Sequence, residues 1–265
     1  MSLRQGQTRL QRIRERRVLR VGYNPTRLPF SYTNVNGEIV GFDIDMVNRL
    51  AGDLGVALEL VPMQFGTVAQ QLADDHFDIA ISGLEATIGR AEEMSLSTPY
   101  LDLSLAVVVL DHRKKEFETI DSIRRIDNLK VAVLEGSFYV ERLRYVLPRV
   151  GIEAEIIEIA RERDYFSGQI EADALMTSAE AASAFTLFYP DYHVEIPLRP
   201  PVKVATVFGA AKDANELEAF LTAWIELRKR DRTIEFLYNH WILGADARRY
   251  KPRWSIARDV LGWMQ

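Results

Sequence analysis

The sequence predicts an α/β protein built as two successive lobes, and three observations predict it. The chain has 265 residues, 48% hydrophobic and 27% charged, an ordinary globular composition at a length above roughly 250 residues, where a single core usually divides. Short strand-like runs alternate with helix-period segments in the order β-α-β-α-β as far as residue 81, the pattern of a parallel sheet with right-handed crossovers. After an apolar run at 104–110 the same alternation restarts near residue 130.

Residues 9–17 set Leu10 and Ile13 among arginines, a short helix or a linker. Val18 to Gly22 reads as a strand with a glycine exit, followed by a loop through Asn24-Pro25 and Pro29 and a turn at Asn34 to Gly37. Gly41 to Asp45 opens a helix whose stripe is Met46, Val47, Leu50 and Leu54 and whose stop is Gly55. Val56 to Val61 is a strand, Thr67 caps a helix running to about Asp75, and Phe77 to Ile81 is a short buried strand. In the second half, strands are expected at 104–110, 130–134, 154–159, 172–176 and 203–210, with helices at 137–147, 162–171 and 178–189. The last large helix, 214–230, carries Leu217, Phe220, Leu221, Trp224 and Leu227 on one face, and a further helix runs from Thr233 to Leu243 and stops at Gly244. In such sheets ligands sit beyond the carboxyl ends of the strands, which points to the loops 23–30, 62–67, 82–90, 134–138 and 176–180.

Composition narrows the chemistry. The absence of cysteine excludes disulfides, thiolate metal sites and a cysteine nucleophile. His76, His112, His193 and His240 have no metal-ligand spacing; no cofactor or metal is expected. The longest apolar run, Leu103 to Leu110, is far short of the ~20 residues that cross a bilayer. Met1-Ser2-Leu3-Arg4 lacks the apolar stretch of a signal peptide and reads as a start placed on a fragment. Residues 1–20 carry net charge +6 and residues 246–265 carry +3, so the overall −5 leaves −14 between them. An acidic body argues against a nucleic-acid partner. The basic ends read either as joints to a membrane part or as solvated helix faces.

Leu19-Arg20-Val21-Gly22-Tyr23-Asn24, Pro29-Phe30 and Gly41-Phe42-Asp43-Ile44-Asp45 resemble the amino-terminal signature of the family 3 solute-binding proteins, the polar amino-acid receptors of ABC transporters. The resemblance continues through Phe77 to Gly83, Thr87, Arg90, Ser97-Thr98-Pro99-Tyr100, Leu129 to Ser137, Ala172 to Leu175 and Tyr238 to Gly244. It implies a type II periplasmic binding protein-like fold, two α/β lobes joined by two hinge strands and closing on a ligand. Lobe one would be 18–105 plus 208–244 and lobe two 106–207 with the hinge strands, flanked by a basic linker or helix at 1–17 and a basic linker at 245–265. It also implies a periplasmic or extracytoplasmic location. Ser178 to Ala181, Phe185 to Pro190, Trp241 to Gly244 and Pro252-Arg253-Trp254-Ser255 resemble binding domains fused to a cation:dicarboxylate symporter-like membrane part, which would tether the chain to the inner membrane.

The same resemblance implies the ligand contacts. Arg90 matches the carboxylate-binding arginine, whose planar fork suits a carboxylate; the alternative is a surface salt bridge. Thr87 and Gly83 would add contacts, and Gly136-Ser137 would bring N–H groups to the same carboxylate. Phe65, Tyr23 and Phe30 are candidate aromatic walls, or core residues. Four positions depart from the family pattern. Ser178 stands where an aspartate usually holds the α-ammonium, Glu85 replaces a small hydroxyl residue, Asn24 replaces a frequent aspartate, and the aromatic usual near Arg27 is missing. Glu85 or Glu180 would meet an ammonium from a new direction, or the ligand lacks one and Arg27 binds a second carboxylate. Alternatively, all three are solvent-facing charges.

The expected function is therefore extracytoplasmic capture of a small carboxylate, an amino acid or related organic acid, for a membrane transporter component. No catalytic motif is evident and no enzyme is expected. Two alternatives stand beside this: a ligand-sensing input domain of a receptor or sensor kinase, and a dehydratase acting on a prephenate-like acid, with Glu180 or Glu85 as general acid.

Overall fold

The computed structural model describes residues 7–34 and 36–244. The expected linker at 245–265, the start at Met1 to Arg4 and Val35 of the expected turn lie outside the described residues. The chain divides into two compact units, one holding the described residues up to Leu101 and from Ala205 onward, the other Asp102–Val204.

The first unit opens with helix α1 (Arg9–Arg16), begun by a capping box in which the Thr8 hydroxyl accepts from Gln11 N and the Gln11 side chain accepts from Thr8 N. Leu10 and Ile13 are buried beneath it. Three of its arginines are engaged within the unit: Arg9 pairs with Asp75 and Asp213, Arg12 with Asp75 and Arg16 with Asp78. Strands β1 (Val18–Tyr23), β2 (Thr26–Arg27), β3 (Ser31–Thr33) and β4 (Ile39–Val40) follow. The last three form a small antiparallel sheet, too short to leave a period in the sequence. Helix α2 (Phe42–Leu54) ends at Gly55, whose φ of +66° lets its N–H return to Ala51 and Gly52. Strand β5 (Ala57–Pro62) precedes a 3₁₀ turn at Phe65–Thr67 and helix α3 (Val68–Ala73). The Thr67 side chain does not cap that helix; its hydroxyl accepts from Gln71 Nε2 at 2.6 Å. Strand β6 (Ile79–Ala80), helix α4 (Ile88–Glu93) and strand β7 (Met94–Leu96) complete this part.

The second unit begins along strand β8 (Leu101–Leu110) and continues through α5 (Ile120–Ile123), β9 (Leu129–Leu134), α6 (Phe138–Arg149), β10 (Ala154–Ile159), α7 (Glu162–Phe166), β11 (Ala174–Ser178), α8 (Ala179–Phe188) and β12 (Tyr192–Glu195). Strand β13 (Lys203–Thr206) leads back to the first unit, which ends with β14 (Gly209–Ala211), α9 (Asn215–Arg230) and α10 (Thr233–Trp241). The single strand expected at 203–210 is thus two. Helix α7 stops well before the expected residue 171, because Gly168 takes φ +71°.

Both sheets are mixed, where the sequence pattern suggested parallel ones. In the first the order is β5-β1-β6-β14-β7, with β1 parallel to β5 and β6 but β14 antiparallel to β6 and β7. Helix α4 spans only six residues, too few for a crossover to a parallel neighbour. In the second the order is β10-β9-β11-β8-β12, with β13 also on β8. Here β9 is parallel to β10 and β11, while β8 is antiparallel to β11 and β12. Its core gathers Val107, Val109, Val131, Val133, Tyr139 and Met176. In α9, Leu217, Leu221 and Trp224 are buried as expected, but Ile225 joins them and Leu227 is 55% exposed. Leu227 lies about a quarter-turn off the stripe at 3.6 residues per turn. The indole N–H groups of Trp224 and Trp241 donate to Asp53 and Asp45, fixing α9 and α10 against α2.

Candidate functional site

In the first unit the site is built where β1 and β6 end. Asn24 follows β1, and its side-chain oxygen accepts from the N–H and hydroxyl of Thr26 at 3.0 and 2.8 Å. This Asx turn directs the chain into β2 and delivers Arg27. After β6, Ser82 and Gly83 both adopt the left-handed conformation, with φ of +86° and +63°. A Cβ on Gly83 would stand 2.7 Å from the Phe30 ring, so both the backbone and the packing require glycine there. The turn is tethered by Asp43 at the start of α2, whose Oδ2 accepts from Ser82 N and Gly83 N at 2.7 Å each and from the Tyr100 hydroxyl at 2.9 Å. Asn24 N donates to Ser82 Oγ, and the Ser31 and Ser82 hydroxyls lie 2.6 Å apart.

This turn leads to Glu85, from which the charged centre is assembled. Glu85 Oε1 accepts from Arg27 Nη2 and Oε2 from Arg90 Nη1, both at 2.9 Å. Arg90 Nη1 also donates to the Glu85 carbonyl at 2.7 Å. Thr87 caps α4 by accepting from Arg90 N, which sets the helix that carries Arg90. The guanidinium carbons of Arg27 and Arg90 each lie 5.8 Å from the ring centroid of buried Phe65, within cation–π range. Arg27 and Glu85 are each 1% exposed and Arg90 is 11% exposed. None of the three is a solvent-facing charge, and the ion pair of Arg90 is not a surface one.

Burial raises the Asp43 carboxyl to about 6, opposed by the Gly83 N–H, the Tyr100 hydroxyl, the Ser82 N–H and the charge of Arg27. Burial and the neighbouring Asp43 in turn hold the Tyr100 hydroxyl well above its ordinary value. Tyr23 is buried at the end of β1, and burial pushes its hydroxyl up. Phe30 is fully buried and packs edge-on against Phe42, which makes it core.

The second unit holds the remaining candidates. The Ser137 hydroxyl and N–H both donate to Leu134 O, at 2.6 and 3.3 Å, so they close the turn after β9. Ser178, fully buried, caps α8 by accepting from Ala181 N at 3.1 Å. Glu180, in the first turn of α8, is 8% exposed. Its Oε2 accepts from Ser104 N at 3.1 Å, and Lys203 Nζ donates to the Ser104 hydroxyl at 2.8 Å. Burial raises the Glu180 carboxyl, against the opposing pull of backbone N–H groups, Lys203 and Ser178.

Arg27, Glu85, Arg90, Phe65, Thr87 and Gly83 are thus brought together, with the Asn24 side chain shaping the turn that delivers Arg27. Glu180, Ser178 and Ser137 belong to the other unit. Asp43 is the residue that sequence reasoning missed: it lies inside the quoted Gly-Phe-Asp-Ile-Asp motif, but its partners at 82, 83 and 100 are far along the chain. Among the described residues no helix is long and apolar enough to cross a membrane, and no group of three or more His, Asp or Glu side chains could hold a metal ion.

The chain is 27% identical over 241 residues to cyclohexadienyl dehydratase of Pseudomonas aeruginosa, covering 91% of this chain and 88% of that protein. It superposes on an ancestral amino acid-binding protein, a precursor of cyclohexadienyl dehydratase, with a TM-score of 0.78 and 28% identity over 88% of this chain and 99% of that one. It superposes equally, TM-score 0.78 and 25% identity, on an amino acid ABC transporter substrate-binding protein of Streptococcus pneumoniae bound to L-arginine, over 89% of this chain and 98% of that one. The dehydratase corrects the expectation that no enzyme is involved, since a relative matched along nearly the whole chain is catalytic. The two mixed α/β units have the type II periplasmic binding protein fold that the sequence resemblance implied. With the family model matching residues 19–244, the chain belongs to the bacterial extracellular solute-binding proteins, family 3.

Proposed function

We propose that this chain captures a small carboxylate, an amino acid or related organic acid, with Arg90 as the carboxylate anchor, and hands it to a membrane transporter component. The observation that supports this reading is the cluster in the first unit, where two guanidinium groups converge on one aromatic face. An arginine held on both Nη1 contacts by Glu85 keeps its fork in a fixed orientation before a ligand arrives. Phe65 supplies an apolar surface for an aliphatic portion. An amino-acid ligand agrees with the relatives named for amino-acid binding. The site is extracytoplasmic in this reading, tethered through a fused symporter-like membrane part. The test is thermal unfolding against L-amino acids, monocarboxylates, dicarboxylates and cyclic acids. A bound compound at about a hundred times its dissociation constant stabilises by roughly 2.7 kcal/mol, a clear rise in midpoint. A flat response across all classes counts against the reading.

Glu180 favours a second reading. A buried carboxyl with a raised pKa is suited to hold a proton and donate it, and a relative is a cyclohexadienyl dehydratase. In this reading Glu180 gives its proton to a leaving hydroxyl, which departs as water, while the ring carboxylate of a cyclohexadienyl acid leaves as carbon dioxide and its bonding electron pair completes the aromatic ring. Incubation with such an acid, followed by absorbance of an aromatic product, distinguishes the two. Turnover lost in Glu180→Gln supports catalysis; saturable binding without product rejects it.

A further inference from the structure

The Asn34 to Gly37 turn between β3 and β4 takes no part in the charged cluster, and it holds its two asparagines in opposite ways. Asn34 is buried, at 4% exposure. Its side-chain oxygen accepts from Asn36 N and Glu38 N at 2.9 Å each, and its side-chain amide donates to Glu38 Oε2 at 2.8 Å. Asn36 is exposed. It is also the only asparagine in the chain that precedes a glycine; Asn34 precedes the β-branched Val35. Gly37 takes φ +80°, and a Cβ built on it would meet nothing within 4 Å. A five-membered ring between the Gly37 nitrogen and the Asn36 side chain therefore closes into open space. The restraint on that closure is the turn itself: Gly37 N donates to Asn34 O at 3.0 Å, and Asn34 N donates to Glu38 O at 2.8 Å.

We propose that Asn36 is a modification site, converted to isoaspartate and aspartate by attack of the Gly37 nitrogen, and that the Asn34 hydrogen bonds set the rate by holding the turn closed. When the turn opens, the Gly37 N–H gives its proton to hydroxide. The nitrogen bonds to Asn36 Cγ, the Cγ–Nδ2 bond breaks, and the leaving group takes a proton from water and departs as ammonia. Water then opens the cyclic imide. Breaking its bond to Cγ gives aspartate; breaking its bond to the Asn36 main-chain carbonyl gives isoaspartate, with the chain now running through Cγ. The balance is amide plus water to acid plus ammonia, with nothing oxidised or reduced. Isoaspartate adds one carbon to the main chain between residues 36 and 37 and places a carboxylate beside Glu38. Both changes draw Glu38 N away from Asn34, which ties β3 to β4. Strand β3 also pairs with β2 through Ser31 and Arg27, so the modification loosens the hairpin next to the strand that carries Arg27.

The test is peptide mass mapping of the parent, Asn34→Ala and Glu38→Ala during incubation in mildly alkaline buffer. Fragmentation tells position 36 from position 34, and labelling by an isoaspartyl methyltransferase counts isoaspartate. The parent is expected to gain about 1 Da at Asn36, the difference between an amide and an acid, before any other asparagine changes and with isoaspartate among the products. Asn34→Ala is expected to form isoaspartate about fivefold faster, because losing the net strength of one hydrogen bond raises the open population by that factor. Glu38→Ala removes only the side-chain contact to Asn34 and decides if Asn34→Ala does not fold; its rate is expected to rise as well. No gain at Asn36, another asparagine reacting first, or aspartate without isoaspartate overturns the site and its route. A parental rate in a variant with parental circular dichroism overturns the control by Asn34.

Discussion

Both units bury glutamates, Glu85 in the first and Glu162 and Glu180 in the second, and Glu85 and Glu180 are accommodated by different means. Glu85 lies between two guanidinium groups, each 2.9 Å from one of its oxygens. Glu180 has a backbone N–H at 3.1 Å and a lysine that reaches its neighbour Ser104 rather than the carboxylate itself. Burial accordingly raises the Glu180 carboxyl. Asp43 is an intermediate case within the first unit, with three hydrogen bonds and the field of Arg27 against complete burial. A carboxylate paired with fixed cations suits permanent charge organisation; one held by neutral donors suits a group that keeps or exchanges a proton.

The contrast can be broken most sharply at Arg27. Arg27→Met leaves Glu85 buried with one partner in place of two and is expected to cost about 3 kcal/mol in chemical denaturation. A loss below about 1 kcal/mol would mean that Arg90 alone suffices. The next effect concerns Asp43. Its carboxyl is raised from 3.8 to about 6 in the folded state, so the folded chain binds the proton more tightly than the unfolded one, and stability falls as pH rises between these values. Set against Asp43→Asn, which cannot titrate, the parent is expected to lose about 3 kcal/mol of relative stability from the lower to the upper end of this window, with no further change above it. A difference independent of pH would show that Asp43 does not titrate there. In the ion-pair cluster beneath α1, Arg12→Ala removes a two-point contact to the partly exposed Asp75. It should cost about 1 kcal/mol, less at high salt. Glu180→Gln is expected to stay within about 1 kcal/mol of the parent at neutral pH, because it removes a charge that burial disfavours. A loss as large as that of Arg27→Met would erase the contrast between the units.

The sequence made the alternation of elements legible because most strands and helices carry their own period: α2 ends at the glycine expected to stop it, and β10 spans the expected residues. Elements of two to six residues, such as β2, β4, α4 and β7, are too short to show a period and emerge only from tertiary pairing. The direction of β14 depends on the chain returning from the second unit, which no local pattern records. In the charged cluster, Arg90, Thr87 and Phe65 could be singled out by motif position, as candidates only. The part played by Glu85 could not, because its partner Arg27 lies 58 residues earlier and a charged residue in a loop reads equally well as solvated. Asp43 escaped for the same reason, its acceptor role being fixed by a backbone turn 39 residues away.

The most direct measurement of the central claim is calorimetric titration of the parent and of Arg90→Ala with the carboxylate that most raises the unfolding midpoint. The account predicts saturable binding to the parent and a loss of about a hundredfold or more in the variant, since truncating a charged hydrogen-bond partner of a carboxylate costs about 3 kcal/mol. Equal affinity in a variant with parental circular dichroism would contradict it.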